Sequence, residues 1–206
     1  MQVLGRNSPC GRATIVAALA LFVGGCAALG GGSKGPPPTY DLTAPRDFPR
    51  AGRAPRGQLV VAEATALGAL DSDKIVVRPA AGEIAALADA QWSDRLTKLV
   101  QARTIQAFEN ASRVRAVGRP SDRIAADYQL LLDIRAFEIS VPAGPAAEVE
   151  ISAKIVGDRS GRIIAGRVFR ATVPASATQG SAAVAALDAA FAKVAADLVL
   201  WATRII

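Results

Sequence analysis

The sequence predicts an α+β domain: an antiparallel or mixed sheet with two long helices packed on it, preceded by a short apolar leader and a flexible tether. Three observations predict it. Apolar residues recur at steps of three and four along two stretches, 89–112 and 181–205. Between them, three segments within 127–173 alternate apolar and polar residues, the period of half-buried strands. Ahead of all of these stands one isolated apolar run, Ala13 to Val23.

That run is eleven residues long and follows a segment whose only charges are Arg6 and Arg12. A bilayer-spanning helix needs about 20 apolar residues, so the run is too short for a mature transmembrane segment. A basic flank, a short apolar core and small residues before a cleavage point make a secretory signal. The run ends in Val23-Gly24-Gly25-Cys26, which resembles the lipobox of bacterial lipoproteins. That resemblance implies cleavage between Gly25 and Cys26, with diacylglycerol on the Cys26 sulfur and a further acyl chain on its amino group. The competing account is an ordinary signal peptide that happens to precede a cysteine. Two or more acyl chains anchor a protein stably where one does not, at about 0.8 kcal/mol per buried methylene. Ala27 stands where aspartate would mark inner-membrane retention in enterobacterial lipoproteins, so by analogy the anchor lies in the outer membrane.

Cleavage before Cys26 leaves 181 of the 206 residues, a length suited to one domain with a single core. Cys10 leaves with the leader and Cys26 is taken by lipid, so no disulfide is expected. Loss of Arg6 and Arg12 lowers the formal charge from +6 to +4. A pI near 9.9 would suggest nucleic acid in a cytosolic chain. Export argues against that partner.

Residues 26–39 read as the tether, with Gly30 to Gly32 flexible and Pro36 to Pro38 favouring stiff polyproline II. Cys26 to Tyr40 spans at most about 50 Å extended and roughly 20 Å as a coil. The domain, 40–206, therefore stays close to its own membrane. Tyr40 to Leu42 is a candidate edge strand. Arg46, Arg50, Arg53 and Arg56 follow among prolines and glycines that rule out a helix. That stretch reads either as a solvated loop or as a surface for anionic headgroups or an acidic partner.

Gln58 to Ala64 and Lys74 to Arg78 read as strands. Asp71 and Asp73 between them lack the further acidic positions of a calcium loop, so a turn with two solvated carboxylates is expected and no metal. The first helix is expected over Asp89 to Ser112, with Trp92, Leu96, Leu99, Val100 and Ala107 on its buried face, Phe108 at the margin and Ile105 off it. Arg103 falls on that same face, where it either snorkels or meets an interface. Val114 to Val117 is a further short strand candidate.

Asp127 to Ile139 alternates, with Tyr128, Leu130, Leu132, Ile134 and Ala136 on one face and Gln129, Leu131, Asp133, Arg135, Phe137 and Ile139 on the other. Glu148 to Val156 has the cleanest alternation. After turn residues Gly157 to Gly161, Arg162 to Val173 returns, with a bulge expected around Gly166. Together these make an antiparallel meander. The last helix is expected from an N-cap at Ser181, with a seam of Val184, Leu187, Phe191, Val194, Leu198, Trp201 and Ile205 across the sheet, and Lys193 paired with Asp197 outside. A coiled-coil partner is the competing account of the seam.

With no histidine and no free cysteine, thiol nucleophiles, histidine-based triads and His or Cys zinc sites are excluded. No glycine-rich phosphate loop follows a strand, and no carboxylate pair stands out. No catalytic residue and no cofactor is expected.

Tyr40-Asp41-Leu42, Leu70-Asp71-Ser72-Asp73-Lys74-Ile75, Trp92 before Asp94-Arg95-Leu96, Ala126-Asp127-Tyr128-Gln129-Leu130, Phe137-Glu138 and a closing helix reaching Trp201 occur in this order behind the lipobox. The ordered set resembles the ABC-type transport auxiliary lipoprotein family, from Tyr40 to Trp201. The resemblance implies an α+β fold and no catalytic residues. It further implies a place beside MCE-domain periplasmic proteins and ABC transporter subunits that move phospholipid between membranes, with this subunit docking the conduit at the outer membrane as a homo-oligomer. A lipid-binding carrier holding an acyl chain between sheet and helices, or a structural envelope lipoprotein, are the competing functions.

Overall fold

A computed structural model describes residues 2, 35–49 and 57–206. The chain divides into two units, 1–36 and 37–206, and the second carries the elements below. Nine strands among the described residues form one mixed sheet, and two helices pack on it. This is the α+β arrangement expected.

The sheet is built around β7 (Tyr128–Ser140), thirteen residues rich in Leu, Ile and Phe. Along one side runs β8 (Ala146–Gly157), antiparallel, and beyond it β9 (Ile163–Pro174). The expected meander is therefore present. Along the other side, β2 (Gln58–Val61), β3 (Thr65–Ala66) and β4 (Lys74–Arg78) pair parallel to successive segments of β7. The expected strand 58–64 thus ends at Val61. Outside β2 lies β6 (Ala116–Gly118), and outside β4 lie β5 (Ala85–Trp92) and then β1 (Thr39–Tyr40). Thr39, placed in the tether by sequence, already pairs with Gln91.

β5 corrects the expected first helix. Residues 89–92 are strand, and helix α1 runs Leu96–Ala111. The segment AALADAQW is rich in helix-favouring alanine, so its local preference is helical. Pairing with β4 and β1 overrides that preference, placing Leu87, Ala90 and Trp92 in the core. Leu96, Leu99, Val100 and Ala107 are buried as expected, Phe108 is fully buried and not at the margin, and Ile105 is half-buried. Trp92 is a core residue that meets Phe137 edge-on at 5.8 Å.

A second correction concerns β7. Its register against β8 slips between Ile134 and Ala136, leaving Arg135 as a bulge residue. The inward phase shifts there, from Leu130, Leu132 and Ile134 to Phe137 and Ile139, which are fully buried instead of lying on the open face. In β9 the irregularity falls opposite Ile155 and Val156, leaving Ile164 unpaired two residues before Gly166.

Helix α2 (Gly180–Ala202) crosses β8 and β9 and touches α1. Val184, Leu187, Phe191, Val194 and Leu198 are buried; Trp201 is half-buried against Phe169, and Ile205 lies past the helix end. The seam is intramolecular. Ser181 is not the N-cap: the helix begins at Gly180, at φ +60°, after Gln179, with no side-chain cap bond. Lys193 and Asp197 form no ion pair among the described residues.

Candidate functional site

The anchor residues Gly25 and Cys26, and Arg50, Arg53 and Arg56, lie outside the described residues. Arg46 is described, and it is exposed. The chain leading to it is no free loop. Leu42 and Ala44 are buried, the Thr43 amide donates to Asp188 Oδ1 of α2 at 2.6 Å, and Asn110 Nδ2 of α1 donates to the Pro45 carbonyl at 2.9 Å. Arg113 donates to the Pro49 carbonyl. Residues 41–49 are thus a strap tied across both helices.

Arg103 explains its odd place on the apolar face by pairing with Asp41 at the head of this strap, Nε to Oδ1 3.3 Å, and by donating to Gln106 Oε1 at 2.8 Å. A groove of about 400 Å³ runs between strap and helix, lined by Leu42, Thr43, Ala44, Arg46, Arg103, Gln106 and Asn110. Its rim carries the exposed cation Arg46.

Asp71 also departs from expectation. Rather than being free in solvent, its carboxylate accepts two bonds from Arg95 Nη2, at 2.5 and 2.6 Å, and one from Thr97 Oγ1 at 2.9 Å. Arg95 also approaches Glu63 at 3.8 Å. The loop before β4 is thereby clamped to the first turn of α1, where the Leu96 amide donates to the Ser72 carbonyl at 3.0 Å. Bonding from Arg95 and then Thr97 holds the Asp71 carboxyl below its usual range, and Asp71 holds the Arg95 guanidinium above its own.

The sheet face turned away from the helices mixes ion pairs with exposed apolar side chains. Arg78 on β4 grips Glu138 on β7, Nε to Oε1 2.6 Å and Nη2 to Oε2 3.0 Å, and this raises the Arg78 pKa. Glu150 of β8 receives Arg170 of β9 at 2.8 Å and Arg135 at 3.7 Å. Toward the other end stand Leu131, Val168 and Ile163, all exposed. A second hollow, of about 630 Å³, opens at Gly57, Asp127, Tyr128, Arg159, Ser160 and Arg204. Asp127 there caps the start of β2 by accepting from the Gln58 amide at 3.0 Å.

Between sheet and helices, Trp92, Phe108, Phe137 and Phe191 fill the space, with Phe137 and Phe191 6.1 Å apart. The arrangement offers surfaces for contact.

The model of the ABC-type transport auxiliary lipoprotein component family matches residues 40–199. The chain belongs to that family. An uncharacterized protein of Bradyrhizobium diazoefficiens is 39% identical over 172 residues, 84% of this chain and 46% of that protein. The chain thus spans about half the length of this curated relative. A crystal structure of a Xanthomonas campestris protein is similar at a TM-score of 0.72 and 30% identity, covering 82% of this chain and 96% of that one. A hypothetical protein from Chlamydia trachomatis, with a TM-score of 0.51, 5% identity, and coverage of 73% and 98%, shares the fold alone. Among the described residues no helix is long and apolar enough to cross a membrane. Asp71, Trp92, Arg95 and Phe137, all in the motifs of the sequence, bind the start of α1 to the loop before β4 and join β5 to β7. Signal for the strap 41–49 was present only as Leu42 and Ala44, too short a pattern to read.

Proposed function

We propose that this chain is a non-catalytic outer-membrane lipoprotein subunit of an MCE/ABC-type phospholipid transport system, docking the periplasmic conduit at the outer membrane. The single observation that carries the reading is the family match over 40–199, which makes the chain an auxiliary component of ABC-type transport. Cys26 bears the covalent lipid, no cofactor takes part, and Ala27 directs the anchor to the outer membrane. Arg46, with Arg50, Arg53 and Arg56, contacts anionic headgroups or an acidic partner, each charge contributing about 1 kcal/mol near such a surface. The chain works as a homo-oligomer beside MCE-domain and ABC subunits.

The filled layer between sheet and helices supports docking over the carrier reading. An acyl chain held there would have to displace Trp92, Phe137 or Phe191, each costing about 3–5 kcal/mol of packing when lost. Gentle extraction of the native chain, followed by native mass spectrometry, tests the proposal. The expected result is an acylated Cys26 and a stripped oligomer that retains MCE and ABC subunits. A monomer carrying phospholipid, an unacylated Cys26, or the absence of any transporter subunit overturns it.

A further inference from the structure

β9 is the edge of the sheet. It is twelve residues long and, among the described residues, pairs with β8 alone. Every second backbone N–H and C=O along it therefore faces away from the sheet, a template for another strand. Short edges, prolines or covering segments protect most edges of this kind. Here the only proline is Pro174, at the last position.

Two properties of the strand select what can join it. Ile163, Ile164 and Val168 are 61%, 50% and 44% exposed, an apolar margin along a free edge. The strand and its leading turn carry Arg159, Arg162, Arg167 and Arg170, and no acidic residue occurs between Asp158 and Asp188. Of these arginines only Arg170 makes an ion pair among the described residues, with Glu150. Arg167 lies 5.1 Å over the Phe169 ring. Glu150 also receives Arg135, so the edge stays net basic.

Positive charge on an edge discourages a second basic strand and admits an acidic one. A second copy of β9 would oppose arginine to arginine. An anionic membrane would meet the arginines and leave the edge N–H and C=O groups without strand partners. We propose that β9 is a strand-addition site for an extended acidic segment of a partner polypeptide, which supplies the next strand and faces Arg162 and Arg167 with carboxylates. The inference deepens the docking reading and rests on it for there being a protein partner.

The test uses the extracted full-length mature chain and a fluorescein-labelled peptide of alternating threonine and glutamate, matched in length to β9. The threonine–lysine counterpart is the control. Expected are saturable binding of the acidic peptide alone, weakening with added salt, and slowed amide exchange confined to residues 163–174. R162E/R167E lowers the affinity about tenfold or more, two exposed pairs being reversed. Should that variant lose its native circular dichroism, the salt dependence and the lysine control decide on the unmodified chain.

Equal binding of both peptides, or no protection of β9, overturns the proposal. So does protection that rises with protein concentration and no peptide, which assigns the edge to a second copy. Protection by phosphatidylglycerol vesicles in place of peptide assigns it to the membrane. A chain that co-purifies with transporter subunits while β9 exchange is unmoved by the peptide defeats this inference and leaves the docking reading standing.

Discussion

Asp71 shows how one carboxylate can hold two elements together. It takes hydrogen bonds from Arg95 and Thr97, both at the start of α1, while sitting in the loop before β4. Its folded pKa is depressed, so the stabilisation is present above the unfolded value near 3.9 and is lost as pH falls through the folded value. Asp71→Asn is therefore expected to flatten the acid limb of stability. Thermal midpoints of the two proteins should differ at neutral pH and converge below about pH 4, and parallel curves would contradict the assignment. Arg78 and Glu138 pose the opposite case, a carboxylate only 7% exposed with a bidentate partner. Arg78→Met leaves Glu138 buried and unpaired, and is expected to cost about 2 kcal/mol in denaturant titration. R78M/E138L should recover much of that loss, because the buried charge is then gone.

At the scale of elements, β7 turns on one residue. Arg135 is the extra residue of a bulge, and it moves Phe137 and Ile139 from the open face to the core. Deleting Arg135 removes the extra residue, so Ile134, Ala136 and Phe137 alternate strictly and Phe137 still faces Trp92 and Phe191. The deletion is therefore expected to keep a cooperative transition in denaturant titration, and Arg135→Ala, which keeps the bulge, to change stability by less than about 1 kcal/mol; loss of cooperative unfolding in the deletion would contradict the register. Phe137→Ala, which removes the ring without altering register, should cost about 3–5 kcal/mol. A bulge has no local signature in DYQLLLDIRAFEI, since each half alternates well and only the pairing with β8 shows the slip. β5 was illegible for a related reason. AALADAQW carries a helical preference of a few tenths of a kcal/mol per residue, smaller than what two strand neighbours and a buried Trp92 contribute. By contrast, β8 and the seam of α2 were legible because each buries one face and period alone reports that, and β4 because it is a short run of β-branched residues.

For the whole molecule, the described part of the basic stretch proves to be structured. Residues 41–49 are strapped to α1 and α2 through Asp41, Thr43, Pro45 and Pro49. Arg46 is held at a fixed place beside the groove as a result. Asp41→Ala together with Asp188→Ala should loosen this strap. Faster proteolysis within 41–49 and little change in the far-UV spectrum are expected, and an unchanged cleavage rate would show that the strap is held by Leu42 and Ala44 alone. On the proposed lipidation, Cys26→Ser should move the protein from the membrane fraction to the soluble fraction, and an unchanged distribution would contradict that anchor.

By itself the sequence determined the α+β class, the meander, the two helices and the family, because periodic burial and an ordered set of short motifs are written in adjacent residues. Only the tertiary structure decided where α1 begins, which way Phe137 points, that Asp71 clamps a helix, and that β9, among the described residues, is a basic edge paired on one side. Those outcomes depend on which segments lie side by side. Pairing energies between residues far apart in the chain exceed the local preferences that a linear reading can weigh.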